Sequence, residues 1–343
     1  MARTLGPLST WPSAVRTMQH VRLMLEYFHP WTNAAGFYLA RAKGWFARAG
    51  LDVEIVVRDD ARGDTLDHVM RGDVHLGVCP TRRVLARFET GEPVCGVAAV
   101  NQRSLEAIHS VNGHGITRPR DLCGRRVALN PTVRARALLT DIVRADGGDP
   151  DAVKLVDAGV RELTFDELRD GVADASFGSY WAWEGVMPST LPDAQRQVWP
   201  IDEIGAPSYH SYLLAADARW LACNAGAVSG LLAAASRGFA AAHADPASAL
   251  PLFERVIPYF PRTTIARSLR AVSTTWLTDG VWGRHDASLM SGYAAWLARH
   301  GIVRRPHAWS AAVTDAYLPP RAARAHEKPC VPTAAGALAY ARP

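Results

Sequence analysis

Ser179 to Glu184 reads SYWAWE, three aromatic rings and one carboxylate within six residues. Tyr180, Trp181 and Trp183 can stack on a flat ring, and Glu184 can accept hydrogen bonds from amino groups. The same run also suits a packed hinge, with Glu184 serving as a cap. Tyr27, His29, Trp31 and Asn33 form a second cluster, aromatic walls with one amide, which fits a planar polar ligand or an ordinary structural loop. Pro80 to Arg83 reads PTRR. Free N–H groups at a helix start favour anions, and an arginine can clamp a carboxylate, sulfonate or phosphate through two parallel bonds. Thr81, Arg82 and Arg83 are therefore candidates, with Arg83 expected to face the ligand; two solvated arginines are the plainer alternative. In NPTVR, Asn130 and Thr132 are candidates, Thr132 also as a helix cap. Tyr209 and His210 either line a cleft or brace its hinge.

Composition removes several classes. The chain has 343 residues and a net charge of +5, from 38 basic and 33 acidic residues. The excess is dispersed, not the clustered stripe of a nucleic-acid binder. No G-x-S-x-G, H-E-x-x-H, P-loop or G-x-G-x-x-G occurs, and the 12 histidines show no metal-ligand spacing. No catalytic residue, metal or cofactor is assigned. Cys79, Cys95, Cys123, Cys223 and Cys330 lack a CxxC pair and read as reduced, mostly buried thiols. No run of 18 apolar residues predicts a transmembrane segment. Met1 to His20 lacks the apolar core of a secretory signal, so the expectation is a cytoplasmic protein, extracytoplasmic only if translation starts elsewhere.

The elements that must hold these residues alternate. Val21–Leu25, Leu51–Val57, Val74–Val78 and Val94–Val100 read as strands, with helices over Ala34–Ala49, Thr65–Arg71 and from Pro80. A second unit follows. Its strands are Arg126–Leu129, Val153–Val156 and Ala175–Phe177, with helices Val133–Ala145 and Thr164–Asp170. A strand near Tyr209–Ala215 precedes four Ala-, Leu- and Trp-rich helices. Strand–helix alternation implies mainly parallel sheets covered on both faces. The helical last third is too long for the second unit alone, so the chain is expected to cross twice. The expected division is an extension over 1–20, a discontinuous lobe over 21–108 plus 208–304, a second lobe over 109–207, and a partly irregular tail over 305–343.

Two stretches carry a family resemblance. Val21 to Ile55, VRLMLEYFHPWTNAAGFYLARAKGWFARAGLDVEI, resembles the opening of solute-binding proteins for sulfonates and thiamine pyrimidine precursors. Asp174 to Gly185, DASFGSYWAWEG, is similar to a run in the pyrimidine-precursor binders, and RPRDLCGRRVA and IGAPSYHSYL also fit. The resemblance implies the type II periplasmic-binding-protein fold, an α/β venus-flytrap of two lobes joined by two crossover strands. The superfamily also holds enzymes. Ala34 stands where thiamine-pyrimidine synthase has its substrate histidine, and no CCCFC run exists. His29-Pro30 matches the Cys-Pro of an aryl-sulfinate desulfinase, with Arg82 or Arg83 at its arginine; the nucleophilic cysteine is absent.

Two functions follow. The first is a solute-binding protein for a pyrimidine-like heterocycle or small organic anion, associated with an ABC permease. The second is a cytosolic enzyme on the same fold, a desulfinase, decarboxylase or pyrimidine synthase. There His29 would be the general acid or base, with Arg83 holding an anion and Glu184 assisting.

Overall fold

The computed structural model describes residues 17–320. The first 16 positions, Cys330 and the tail after 320, all part of the expectations above, lie outside the described residues. Strand β1 (Gln19–Leu25) leads into helices α1 (Ala35–Ala42) and α2 (Trp45–Arg48), then β2 (Leu51–Val57). One continuous helix was expected there; Gly44, at φ 67°, breaks it into two. Helix α3 (Thr65–Arg71) starts at a capping box, Asp64 with Asp67. Strand β3 (Leu76–Pro80), helix α4 (Thr81–Glu89) and strand β4 (Val94–Ala99) complete the first half of this lobe.

The second lobe holds β5 (Glu106–Val111), β6 (Arg126–Leu129), α5 (Val133–Ala145), β7 (Lys154–Asp157), α6 (Phe165–Arg169), β8 (Ala175–Tyr180) and β9 (Arg196–Pro200). The chain then returns through β10 (Tyr212–Asp217) and α7 (Ala218–Cys223) to α8 (Ala225–Ala244), α9 (Leu250–Val256), α10 (Arg262–Ser273) and α11 (Ala287–Arg299). The two five-stranded sheets are ordered β2-β1-β3-β10-β4 and β7-β6-β8-β5-β9. Each has one strand running against its neighbours: β10 between β3 and β4, and β5 between β8 and β9. Those are the strands that enter each lobe after a crossing. Sequence reading missed β5 and β9. In β5 the residues are Glu-Ala-Ile-His-Ser-Val with His109 and Ser110 buried, so neither alternation nor an apolar run announces the strand.

The first lobe's core is aromatic: Phe37, Phe46, Phe239, Trp276 and Trp282 are all buried. Helices α1 and α8 touch at two glycines. A Cβ on Gly238 would lie 1.9 Å from the Gly36 carbonyl oxygen, so only glycine permits this approach. Among the described residues α8 alone is long and apolar enough to cross a membrane. Its Val228, Leu231, Leu232, Ala235 and Phe239 instead pack into this core. The four described cysteines are free thiols; Cys79 is buried, but Cys95 and Cys123 are half-buried and Cys223 is exposed, contrary to the expectation of mostly buried thiols.

Candidate functional site

A cavity of about 210 Å³ opens between the lobes. Open parallel sheets present their binding loops at the carboxyl ends of the strands, and these loops make its walls. The first lobe supplies Arg82, from the start of α4 just after β3. The second supplies Glu106 on β5, Asn130 and Thr132 between β6 and α5, Arg134 on α5, and Ser176 and Ser179 on β8. The loop after β7, residues 158–163, closes one side with Arg161 and Glu162. A smaller hollow of about 80 Å³ adjoins it and shares Arg82, Glu106 and Arg134.

Arg134 and Glu106 meet through two bonds, Nη1 to Oε1 at 2.8 Å and Nη2 to Oε2 at 2.6 Å. The Tyr209 hydroxyl donates to Glu106 and accepts from Arg134 (2.6 Å) and Ser104 (2.9 Å). The Tyr293 hydroxyl accepts from Arg134 Nε at 2.7 Å. Burial alone would raise the Glu106 carboxyl. The Arg134 charge and bonds outweigh it and hold the group ionised, below the ordinary carboxylate range. The pair is thus satisfied without a ligand. Arg161 is likewise committed, to Glu167.

Three cavity residues differ. Arg82 makes no hydrogen bond or ion pair with any described residue, although its charge is felt at Glu106 and Tyr293. Ser176 is 3% exposed, and its Oγ has no hydrogen-bond partner among the described residues. Glu162 carries a carboxyl raised by burial and pairs with no cation among the described residues. Thr132 both caps α5, accepting from Ala135 N at 3.2 Å, and lines the cavity beside Asn130.

The conspicuous aromatic run lies elsewhere. After Tyr180 the chain leaves the second lobe and enters the first. Trp183 is 1% exposed within the first lobe's core, 5.8 Å from the Trp31 ring and 4.9 Å from Phe260. The Ser268 hydroxyl anchors Ala182 O at 2.5 Å. Trp181 donates its Nε1–H to Ser104 O at 3.1 Å, with the Arg103 guanidinium over its ring. Neither ring lines the cavity: Trp183 is buried in the first lobe's core, and the half-buried Trp181 is tied to Ser104 O beneath Arg103. Tyr180 stacks on Trp31 at 5.6 Å and shares a 2.5 Å hydrogen bond with the Tyr212 hydroxyl, so of the run only Tyr180 reaches the smaller hollow.

Several other candidates are committed to structure. Glu184 accepts from the Tyr27 hydroxyl at 2.8 Å and from Tyr180 N at 2.7 Å. Burial first, then the charge of Glu162, pushes the Glu184 carboxyl up to about 7. Burial also raises the Tyr27 phenol. The His29 ring bonds Pro30 O at 2.7 Å, and burial lowers its pKa. Asn33 is tied to Asn101 and to the Trp276 indole, and Thr81 donates to His210 O at 2.5 Å. His210 bonds Asn101 O and the Asp286 amide, and burial drives its pKa down to about 4. Arg83, expected to face the ligand, instead pairs with Glu26 at 2.8 Å and Asp64 at 3.2 Å. One residue's rotation along α4 turns Arg82 to the cavity and Arg83 into lobe 1. The trio His29, Arg83 and Glu184, weighed as catalytic, does not line the cavity.

Sequence reading missed Glu106, Arg134, Ser176, Arg161 and Glu162. Arg134 and Ser176 were inside stretches already singled out. Arg161 and Glu162 follow β7, so the strand-end rule would have found them. Glu106 gives no sequence signal, because its partner is 28 residues away in another element.

The NMT1/THI5 like family profile matches residues 31–249. The formylaminopyrimidine-binding protein of Halalkalibacterium halodurans is 24% identical over 294 residues, 84% of this chain and 88% of that one. The periplasmic aliphatic sulphonate binding protein SsuA from Escherichia coli superposes with a TM-score of 0.63 at 15% identity, covering 83% of this chain and 94% of its own. The desulfurization enzyme DSZB superposes with a TM-score of 0.61 at 14% identity, covering 88% and 97%. Likeness at this level shows a shared periplasmic-binding-protein fold.

Proposed function

The chain belongs to the NMT1/THI5 like family, and from that premise we propose that it binds a small solute in the cavity between its lobes and hands it to an ABC permease. One observation carries the reading: Arg82 of the first lobe joins residues of the second in lining a single polar cavity of about 210 Å³. The ligand is a pyrimidine-like heterocycle or a small organic anion, a range supported by the formylaminopyrimidine and sulphonate binders that this chain resembles.

The binding physics follows from the hinge. The two crossing segments are cross-braced: Arg103 forks onto Asp202 at 2.9 and 2.7 Å, Ser104 meets Tyr209, and His210 meets Asn101. A ligand bridging Arg82 on one lobe and Ser176 on the other adds contacts present only when the lobes are together, so it favours closure. Water leaves the cavity on closure, which strengthens each polar contact inside.

Mass spectrometry under native conditions tests this. The purified protein should carry or take up a small molecule that Ala135→Trp, which fills the cavity wall, loses. Trp181→Ala should keep it, because that ring is outside the cavity. Equal retention by Ala135→Trp overturns the site.

A further inference from the structure

We propose that Arg82 and Ser176 form a subsite for one anionic group of the ligand, which makes the physiological ligand a small organic monoanion. This rests on the cleft-binding reading above. The cavity's charges divide into satisfied and unsatisfied groups. Arg134 is matched by Glu106, and Arg161 by Glu167. Arg82 has no partner of either kind among the described residues, yet it is held at the wall of an inter-lobe cavity. Its backbone is fixed in place: Thr81 beside it bonds His210 O, and Pro80 ends a paired strand.

Ser176 is the independent observation. A buried hydroxyl without a partner costs about 1–3 kcal/mol, and such groups are rare unless something else completes them. This one lies on β8, lining the same cavity as Arg82 from the opposite lobe. A guanidinium and a hydroxyl both donate, so together they select an acceptor, and the unpaired positive charge selects an anion over a neutral carbonyl. Glu162, on the far loop, sets the limit of one charge. A second negative group would face the Glu162 side chain across the same cavity and be repelled whenever that carboxyl is ionised. The remainder of the ligand is neutral or presents donors toward Glu162.

Calorimetry with matched probes decides it. Benzenesulfonate should bind the wild type at least about tenfold tighter than the isosteric, neutral benzenesulfonamide. Arg82→Gln should abolish that preference, Arg82→Lys should keep most of it, and Ser176→Ala should narrow it about threefold. The dianion 4-sulfobenzoate should bind more weakly than benzenesulfonate, with the gap closed in Glu162→Gln. An undiminished preference in Arg82→Gln, or equal binding of the two wild-type probes, overturns the subsite. If neutral 4-amino-2-methylpyrimidine binds wild type and Arg82→Gln alike while benzenesulfonate does not bind, the anion subsite falls and the cleft-binding reading stands. If Ala135→Trp binds benzenesulfonate as well as wild type, both fall.

Discussion

The aromatic insert at 180–184 and the charged wall at 82, 106, 134 and 176 are neighbours, sharing Tyr180 at their border, but they use their residues in opposite ways. The insert contains the residues that look most like a ligand box. Nearly all of its surface is spent: Trp183 in the core, Trp181 on Ser104, Glu184 between Tyr27 and Tyr180. The wall contains ordinary Arg, Glu and Ser residues, and of the two regions it is the one that keeps polar groups unused. Large apolar rings gain most by burial, so a dense aromatic run is drawn into whichever core is in reach. Polar groups left unpaired in a formed cavity carry more information about ligands than rings do.

Three measurements sharpen or break this contrast. The largest effect belongs to the insert. Trp183→Ala should cost about 3–5 kcal/mol in denaturant unfolding, the usual loss for a buried tryptophan. A variant of wild-type stability that no longer binds solute would put the ring back in the site. The second concerns Glu184. Its folded-state pKa, about 7, lies above the ordinary carboxylate value, so the folded chain holds a proton that the unfolded chain has released. Stability therefore falls as pH rises from the ordinary carboxylate range through 7, by about 2 kcal/mol after allowing for the partial exposure of the side chain. Glu184→Gln should flatten that slope in melts run from pH 5 to 8; an unchanged slope assigns it to another group. The smallest effect is on the wall. Arg82→Gln should shift unfolding by no more than about 0.5 kcal/mol, since no bond is lost. A large loss would mean that Arg82 holds the fold and not a ligand.

Much of the architecture was readable from the chain, and the reasons are local. VRLML is the short apolar run of a strand buried within its sheet, and LDVEIVV alternates as an edge strand buried on one face does. The helix read over Thr65–Arg71 is the one observed, and the structure adds its Asp64 cap, as it adds Asp286 at the start of α11. The site was legible only at the level of loops. The loops after β3 and β6 were identified, yet which of Arg82 and Arg83 turns inward depends on the phase of α4 against β3, a tertiary property. Glu106 and Arg134 are far apart in sequence and become a pair only once β5 lies beside β8 and α5 packs over them. SYWAWE misled because sequence reveals that rings are present and says nothing of which lobe buries them.

Strand β10 sits between β3 and β4, yet more than a hundred residues separate it from them. During synthesis β3 and β4 emerge first and cannot pair with each other in the final register. They wait, with unpaired backbone edges, while the entire second lobe is made. The first lobe closes only when the ribosome has delivered β10 and the helices that follow. That interval is when the nascent protein is most open to edge-to-edge association, and it is the point at which a chaperone would be of most use.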